Sequence, residues 1–314
     1  MRARRSCLSV PGSSPRFLEK AAGLPADEVF FDLEDSVAPL EKEAARATIA
    51  DALNTHAYAA PTKVVRVNGV YTKWCAGDVL ETVTKAGRHI DAIMIPKVET
   101  PNDVTFVDNL LRMIEDNEGL DKRIGLEVQI ETALGLKNIQ EIAQASPRIE
   151  DLILGPADMS ASLGLPTVTA GAPIPGYETL DHWHYVLTHI NIAARANNLQ
   201  SIDGPYLLIR DLDGFRAAAM RARALGYDGK WALHPSQVDV LNEVFTPTQD
   251  EYDKAEAILE HYAYVTEVER KGAVMFGKEM IDEASRKMAE TVSARGRAAG
   301  KAREKKTDDF LSAE

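Results

Sequence analysis

Apolar runs of strand length alternate with amphipathic stretches of helix length from the start of the chain to about residue 240. This alternation is typical of a parallel α/β fold, in which a helix follows each strand. The runs predict strands at Ser6–Val10, Val29–Leu33, Lys63–Val67, Ala92–Ile95, Ile124–Ile130, Asp151–Leu154, Gln200–Asp203 and Lys230–Leu233. Eight strands close a (β/α)₈ barrel of typical size, so the α/β fold predicted is a TIM barrel.

An open, doubly wound sheet is the main alternative to a barrel. Such a sheet usually has fewer strands and begins with a glycine-rich dinucleotide turn, and the sequence contains no GxGxxG motif. Helix-start signals also fit the alternation, since Thr100 followed by Pro101 predicts a capped helix that runs to about Asp116.

The chain continues beyond the eighth predicted strand. Thr246 and Gln249 have the spacing of a capping box and predict a long helix that reaches Arg270. Residues 272–281 predict a short hairpin, and another helix is expected from Asp282. The predicted domains are a catalytic barrel over residues 1–245, a helical and hairpin extension over 246–294, and a charged, flexible tail over 295–314.

Charged side chains stand at the ends of most predicted strands. They are Asp32, Glu34, Asp35, Arg66, Lys97, Glu131, Asp158 and His234. In a parallel barrel the carboxyl ends of the strands meet at one face, and that face carries the active site. The pattern therefore predicts a ring of site residues, which a chance distribution over helix surfaces would not give.

Glu131 and Asp158 are the candidate metal ligands. They follow the fifth and sixth predicted strands, and neighbouring strands lie about 4.8 Å apart, so the two carboxylates can converge on one cation. Two carboxylates that leave positions for water and substrate oxygens suit Mg²⁺. The alternative is that each carboxylate caps a helix or pairs with an arginine. No His or Cys set with zinc spacing competes for the role.

Arg66 and Lys97 are the candidate cationic groups. Arg66 keeps its proton, so it suits holding a carboxylate or stabilising an oxyanion. Its alternative role is a salt bridge at the barrel rim with Asp32, Glu34 or Asp35. Lys97 is interpreted as a structural ion pair, because a Schiff-base role would need desolvation. His234 is similarly interpreted as a hydrogen-bonded rim residue.

The first turn between strand and helix, PGSSPR at residues 11–16, is a candidate phosphate site. It offers backbone N–H groups and the hydroxyl of Ser13, with the cations of Arg16 and Lys20 on the helix that follows. The alternative is an ordinary helix start with exposed cations. The Gly- and Pro-rich segment 164–180 follows strand six and is expected to be a loop, and plausibly a lid, over the barrel mouth.

Net charge and cysteine content limit the kinds of binding partner and the cellular compartment that we expect. A formal net charge of −12 argues against nucleic acid or an anionic membrane as the main partner, although an anionic small ligand remains compatible. Cys7 and Cys75 form no CxxC pair, so a reducing cytoplasm is expected. No apolar run reaches transmembrane length, and the basic start lacks the apolar segment of a signal peptide.

Several motifs occur together in a fixed order between about residues 4 and 292. They include SVPGSSPRFLEKA, FFDLEDSVAPLEKEAAR, VVRVNG, IMIPKVET, GLEVQIETALGL, LGPADMSASLG, ALGYDGKWALHPSQV and GKEMIDEAS. In these the chain resembles the citrate lyase β-subunit family of the HpcH/HpaI aldolase superfamily, and especially its malyl-CoA lyase branch. The resemblance implies a TIM barrel, Mg²⁺ or Mn²⁺, a CoA thioester as substrate, and a homotrimer or homohexamer.

The same resemblance implies roles for individual residues. Glu131 of the IET motif and Asp158 of the GxxD motif match the family's metal ligands, and Arg66 of RVN matches the residue at the reacting oxygen of the keto-acid. Asp282 of the MID motif matches an acid/base that acts in a neighbouring subunit's site. The turn that holds Ser13, with Arg16 and Lys20, matches the region that binds CoA.

The implied activity is metal-dependent, reversible C–C cleavage of a 3-hydroxy-3-carboxyacyl-CoA such as (S)-malyl-CoA, which gives acetyl-CoA and glyoxylate. A malyl-CoA thioesterase or a malate-synthase-like enzyme on the same scaffold is the nearest alternative. A pyruvate-type aldolase without CoA and a non-catalytic, CoA-sensing protein are further alternatives. The segment 164–180 departs from close malyl-CoA lyases where acyl groups would be recognised.

Overall fold

The computed structural model describes residues 2–169, 174 and 182–311. Eight parallel strands form a closed barrel in which each strand pairs with the next and β8 pairs with β1. The strands are β1 Ser6–Pro11, β2 Glu28–Asp32, β3 Thr62–Arg66, β4 Ala92–Ile95, β5 Gly125–Ile130, β6 Ile149–Leu154, β7 Gln200–Asp203 and β8 Gly229–Ala232. The TIM barrel predicted from the sequence is therefore confirmed, with strand boundaries that differ by at most two residues.

Helices follow the strands and cover the outside of the barrel. They are α1 Pro15–Ala21, α2 Lys42–Thr55, α3 Cys75–Ala86, α4 Pro101–Glu118, α5 Ala133–Lys137, α6 Ile139–Ile142, α7 Pro156–Leu163, α8 His184–Ala196, α9 Leu212–Ala224 and α10 Val238–Val244. Helix α4 begins as predicted, because Thr100 and Asp103 form a capping box and proline occupies the first turn. It ends at Gly119, whose left-handed φ of 60° suits a glycine.

The barrel interior has three layers of side chains. The middle layer is apolar and buried, and it consists of Cys7, Phe30, Val64, Ala92, Met94, Ile153, Ile202 and Trp231. Below it, toward the amino ends of the strands, lies a charged layer around Arg4, and above it lie the charged strand ends predicted as the site. The apolar layer separates the two charged layers, as expected of a packed barrel core.

The lower charged layer holds three buried carboxyl groups around one guanidinium. Arg4 Nε lies 2.9 Å from Glu28 Oε2 and 3.0 Å from Asp151 Oδ2, and Nη2 lies 2.9 Å from Glu127 Oε1. Arg4 Nη1 also donates to Gln200 Oε1 at 2.8 Å. Burial raises the pKa of Glu28, Glu127 and Asp151, since one cation cannot compensate three desolvated carboxylates.

The chain divides into two compact units, Met1–Phe245 and Thr246–Glu314. The second unit contains α11 (Gln249–Tyr264), a π-helical turn at Val265–Glu269, an antiparallel hairpin of β9 (Val274–Phe276) and β10 (Glu279–Ile281), α12 (Glu283–Ala298) and α13 (Thr307–Leu311). The capping box of α11 is formed by Thr248 and Glu251, so the prediction from Thr246 was wrong by two residues. Thr248 has the extended backbone of a cap, and its hydroxyl accepts the Glu251 N–H.

Residues 295–311, for which the sequence predicts a flexible tail, contact α11 and the hairpin of the second unit. Helix α12 extends to Ala298, and the buried carboxylate of Asp253 accepts the backbone N–H groups of Glu304 and Lys305 at 3.0 and 3.2 Å. The ring of Phe310 stacks at 6.3 Å on that of Phe276. A buried acceptor and one aromatic contact therefore connect this charged segment to the rest of the second unit.

The sequence also gives expectations for membrane spans, for the two cysteines and for the segment 164–180. No helix in the described ranges is long and apolar enough to cross a membrane. Cys7 and Cys75 are buried free thiols. Most of the segment 164–180, predicted to be a lid, lies outside the described residues.

Candidate active site

A pocket of about 290 Å³ opens at the carboxyl ends of the barrel strands. It is lined by Ser9, Asp32, Asp35, Ser36, Arg66, Gln129, Glu131, Gly155, Pro156, Ala157, Asp158, Pro205, Leu207, Trp231 and Leu233. Arg66, Glu131 and Asp158 are brought together here, as the strand-end pattern predicts. Asp32 and Asp35, predicted only as rim support, also line the pocket.

Glu131 directly follows β5 and is held by contacts to both carboxylate oxygens. Oε1 accepts the backbone N–H of Lys97 at 2.7 Å, and Oε2 accepts the side-chain N–H of Gln129 at 2.7 Å. Gly155 packs so closely that a Cβ there would lie 2.1 Å from Glu131 Oε2. The side chain is only 2% exposed, and burial raises its pKa to about 8. The carboxylate is therefore fixed in direction and lacks a full compensating charge.

Asp158 lies in the first turn of α7, where the chain leaves β6. It is 36% exposed, and its Oδ2 lies 3.5 Å from Lys97 Nζ. Its negative charge contributes to the raised pKa of Glu131, after burial and against the effect of Lys97. Two carboxylates that face one pocket repel each other, and a cation bound between them would offset that repulsion.

The donor set suits a hard cation held by few protein ligands. No group of three or more His, Cys, Asp or Glu side chains within the described part of the chain has the geometry to hold a metal. The protein can therefore supply Glu131 and Asp158, while water and ligand oxygens complete the shell. That division fits Mg²⁺ or Mn²⁺ and does not fit a closed zinc site.

Arg66 at the end of β3 forms the salt bridge that was its alternative role and still lines the pocket. Nε and Nη2 each donate to a different oxygen of Asp32 at 2.8 Å, and Nη1 lies 3.2 Å from Glu34 Oε2. Burial opposes the charge of Arg66, but the carboxylates of Asp32, Glu34 and Glu131 together outweigh burial and raise the pKa of the guanidinium. The bidentate contact fixes the plane of Arg66, whose face lies 5.2 Å from the Trp231 ring.

Lys97 connects the two proposed metal ligands. Its φ of 53° is left-handed, which is uncommon for a residue other than glycine and recurs at functional sites. Its backbone N–H contacts Glu131, and its ammonium pairs closely with Glu34 and lies near Asp158. The predicted structural ion pair of Lys97 thus exists, and it lies inside the site.

The predicted CoA-binding residues lie outside the pocket lining. Ser13, Arg16 and Lys20 are exposed on the first turn and on α1, and no described residue hydrogen-bonds to their side chains. The turn itself is tight: Gly12 donates its N–H to the Asp32 carbonyl at 2.8 Å, and a Cβ there would lie 2.6 Å from that oxygen. These side chains are therefore available for an external ligand.

Asp282 belongs to the second unit, while every residue of the pocket lining belongs to the first. It is the N-cap of α12, and its Oδ1 accepts the backbone N–H groups of Ala284 and Ser285 at 3.0 and 3.1 Å. The Ser285 N–H is the main reason that the pKa of Asp282 is lowered. His234, in contrast, is an exposed rim residue whose Nδ1 contacts Ser236 Oγ at 2.9 Å.

Sequence reasoning missed Gln129 and Trp231. Gln129 donates to Glu131, and its Oε1 is buried without a hydrogen-bond partner in the described part of the chain. Trp231 forms part of the pocket floor on β8. The alternation of strand side chains could have identified Gln129, because it lies two residues before Glu131 and faces the same side of β5.

Comparison with known proteins identifies the class to which this barrel belongs. The chain matches the HpcH/HpaI aldolase/citrate lyase family over residues 5–235 and is a member of that family. The family predicted from the motifs is therefore confirmed.

Two relatives and one solved structure show which members of the family this chain is similar to. An L-malyl-CoA/beta-methylmalyl-CoA lyase from Cereibacter sphaeroides is 40% identical over 299 residues, which is 93% of this chain and 94% of the relative. A (3S)-malyl-CoA thioesterase from the same species is 38% identical and matches 87% of this chain and 88% of its own length. The crystal structure of CitE from Mycobacterium tuberculosis in complex with magnesium, acetoacetate and coenzyme A has a TM-score of 0.73 and 28% identity, covering 93% of this chain and 97% of that chain.

Proposed function

We propose that this protein is a carbon–carbon lyase that reversibly cleaves a 3-hydroxy-3-carboxyacyl-CoA, such as (S)-malyl-CoA, into acetyl-CoA and glyoxylate. The observation that carries the proposal is the pocket in which Glu131, Asp158 and Arg66 meet, in a chain 40% identical to a malyl-CoA lyase over nearly its whole length. A volume of about 290 Å³ suits a small acid fragment, while the CoA chain would lie outside the pocket.

Glu131 and Asp158 would hold Mg²⁺ or Mn²⁺, as their convergence and the raised pKa of Glu131 indicate. When bound, the cation would act as a Lewis acid toward the oxygens of the two-carbon fragment and would orient that fragment. Arg66, fixed by Asp32, would stabilise negative charge on the reacting oxygen. The hydroxyl group gives up its proton to solvent as the C–C bond breaks. The electron pair of that bond passes to the thioester fragment as an enolate, and the hydroxyl carbon becomes the aldehyde of glyoxylate.

Asp282 of a neighbouring copy would exchange the proton of the thioester fragment. In condensation it takes a proton from the methyl group of acetyl-CoA, and in cleavage it returns that proton to the enolate. Its lowered pKa supports the carboxylate form that a base requires. Because Asp282 would act in another copy's site, a homotrimer or homohexamer would be needed for activity. Ser13, Arg16 and Lys20, which are exposed outside the pocket, would bind CoA.

The test is product analysis of purified protein with (S)-malyl-CoA and Mg²⁺. Equal amounts of glyoxylate and acetyl-CoA are expected, and chelation of the cation should abolish their release. Asp158→Ala should lower kcat/KM by on the order of a hundredfold or more, whereas Asp116→Ala on the exposed face of α4 should not change it.

The alternatives give different products. A thioesterase, which the 38% identical relative makes the second candidate, would release free CoA thiol and malate. A malate-synthase-like enzyme would release CoA thiol from acetyl-CoA and glyoxylate. Wild-type activity in Asp158→Ala would refute the assigned metal ligand, and absence of turnover with any acyl-CoA would refute the proposed function.

A further inference from the structure

One buried lysine outside the pocket lining takes no part in the mechanism above. Lys42, the first residue of α2, is only 7% exposed. Its ammonium donates to the backbone carbonyl of Leu33 at 2.9 Å, to that of Glu34 at 2.6 Å and to Asn68 Oδ1 at 2.7 Å. An ammonium has three N–H donors, so these hydrogen bonds use all of them. Lys42 therefore has no donor left for a ligand.

The three acceptors of Lys42 are all neutral oxygens. Burying a charged group is unfavourable, and the cost is offset here by hydrogen bonds alone. The amide of Asn68 is oriented for this contact, since its Nδ2 donates to Asp78 Oδ2 at 2.7 Å and to the Leu33 carbonyl at 3.0 Å. The ammonium therefore connects the start of α2 to the segments that follow β2 and β3.

The two carbonyls that Lys42 holds belong to the segment that follows β2 and carries acids of the site. Asp32 Oδ1 accepts the Glu34 N–H at 2.8 Å, and Glu34 Oε2 accepts the Asp35 N–H at 3.0 Å. This segment is thus held by its own carboxylates on one side and by Lys42 on the other. Because the carbonyl of Glu34 is fixed, the direction in which its side chain leaves the backbone is fixed as well.

The Glu34 carboxylate connects this segment to the proposed cation site. It pairs closely with the ammonium of Lys97, and its Oε2 lies 3.2 Å from Arg66 Nη1. The Lys97 ammonium lies 3.5 Å from Asp158 Oδ2, and the Lys97 backbone N–H donates to Glu131 Oε1 at 2.7 Å. Displacement of Glu34 would therefore change the position of Lys97, which contacts both proposed metal ligands.

We propose that Lys42 is a positioning residue for the cation site and acts through Glu34. It holds the backbone at Glu34, and the Glu34 carboxylate holds Lys97 next to the two proposed metal ligands. Lys42 touches neither the cation nor the substrate. Its effect on cation affinity rests on the metal site proposed above, whereas its hold on the segment after β2 rests on the three hydrogen bonds alone.

The first test is the substitution Lys42→Met, which keeps a side chain of similar length and removes the three donors. Mn²⁺ is titrated calorimetrically into the full-length protein, and its Kd should rise about tenfold or more, as for other groups that orient a metal ligand. Arg148→Met is the matched control, because Arg148 is also a buried cation that donates to a backbone carbonyl, that of Ile124 at 2.9 Å. Arg148→Met should bind Mn²⁺ within about twofold of wild type.

Hydrogen exchange, followed by mass spectrometry without added metal, tests the hold on the backbone separately. In Lys42→Met the N–H groups of Glu34, Asp35 and Lys97 should exchange faster than in wild type, since the carboxylates that accept them are no longer fixed. Exchange in β7 should stay unchanged, and Arg148→Met should exchange like wild type at all three N–H groups.

A double-mutant cycle tests whether Lys42 acts through Glu34. Glu34→Gln removes the charge that pairs with Lys97, so it should weaken Mn²⁺ binding by itself. Adding Lys42→Met to Glu34→Gln should change the Kd for Mn²⁺ by less than about twofold, because the group through which Lys42 acts is already lost. Additive effects of the two substitutions would overturn the connection through Glu34.

The outcomes separate this inference from the proposed function. Faster exchange in Lys42→Met with wild-type Mn²⁺ affinity would show a purely structural role and overturn the positioning role, as would unchanged exchange. Lys42→Gln carries the same tests if Lys42→Met does not fold, because its amide has two donors and no charge. Wild-type protein that binds Mn²⁺ as expected but does not cleave malyl-CoA would refute the proposed reaction and leave the role of Lys42 supported.

Discussion

At the scale of single residues, the site depends on groups that carry no charge of their own. Glu131 is oriented by the backbone N–H of Lys97, by the amide of Gln129 and by the close approach of Gly155. Oxygen ligands of a metal bind well only when their direction is fixed by such partners. We therefore expect the neutral neighbours of Glu131 to contribute to cation affinity although they would not touch the cation.

Substitution of Gly155 tests this dependence. Gly155→Ala is compatible with the backbone φ of −99°, but its Cβ would lie 2.1 Å from Glu131 Oε2 and 2.5 Å from Glu131 Cβ. We expect the carboxylate to be displaced and the affinity for Mn²⁺, measured by calorimetry, to fall about tenfold or more. Gly23→Ala, where a Cβ meets nothing within 4 Å, is the matched control. Unchanged Mn²⁺ affinity in Gly155→Ala would contradict the assignment of Glu131 as a ligand.

At the scale of elements, the second unit presents Asp282 where a hairpin turns into a helix. The carboxylate caps α12 and is held by the N–H groups of Ala284 and Ser285. The same hydrogen bonds lower its pKa, so a helix start both fixes the carboxylate and keeps it ionised. The capping role of Asp282 can therefore be separated by substitution from the catalytic role proposed for it.

Two substitutions of Asp282 distinguish these roles. Asparagine is also a good N-cap, so Asp282→Asn should unfold near the wild-type urea midpoint while losing lyase activity. Asp282→Ala should lose activity as well, and it should also unfold at a lower urea concentration than wild type because the cap is missing. Turnover of malyl-CoA by Asp282→Asn at the wild-type rate would exclude the acid/base role.

At the scale of the whole molecule, the barrel combines an upper charged layer with a lower one. The lower layer has the buried carboxyl groups of Glu28, Glu127 and Asp151 and the single guanidinium of Arg4. Asp151 lies beside Arg4 but accepts no hydrogen bond among the described residues. One guanidinium does not compensate the cost of burying three carboxylates, so this layer opposes full ionisation of the barrel interior.

This layer makes stability depend on pH in a definite direction. Burial, together with Glu28, raises the pKa of Glu127 well above its usual value of 4.5 in the folded protein. Its contribution is most favourable at low pH and is lost as pH rises from the unfolded value through the folded value. Glu127→Gln does not titrate, so its stability relative to wild type should increase from about pH 5 to about pH 8.

Urea unfolding across that pH range checks the prediction, with exposed Glu141→Gln as the control. The control should show a difference from wild type that does not vary with pH. A difference between Glu127→Gln and wild type that is constant, or that decreases with rising pH, would show that Glu127 is ionised in the folded barrel.

Much of the fold and part of the site could be predicted from the sequence because both follow from local periodicity. Strand length, alternation and the charges at strand ends predict the barrel and place Arg66, Glu131 and Asp158 at one face. The cap at Thr100 is also a local signal. The cap at Thr248 was missed, because two threonines two residues apart both have acceptable partners and only backbone geometry distinguishes them.

The sequence by itself therefore determined which residues stand at the mouth of the barrel, since strand period and order are encoded residue by residue. Only the tertiary structure decided which of them meet. Lys97 joins Glu131 and Asp158, Asp32 fixes Arg66, and Gln129 donates to Glu131. The physical reason is the closure of the barrel, which makes neighbours of strands that lie more than two hundred residues apart in the chain. Burial then sets the protonation and hydrogen bonding of side chains that the linear pattern treats as independent.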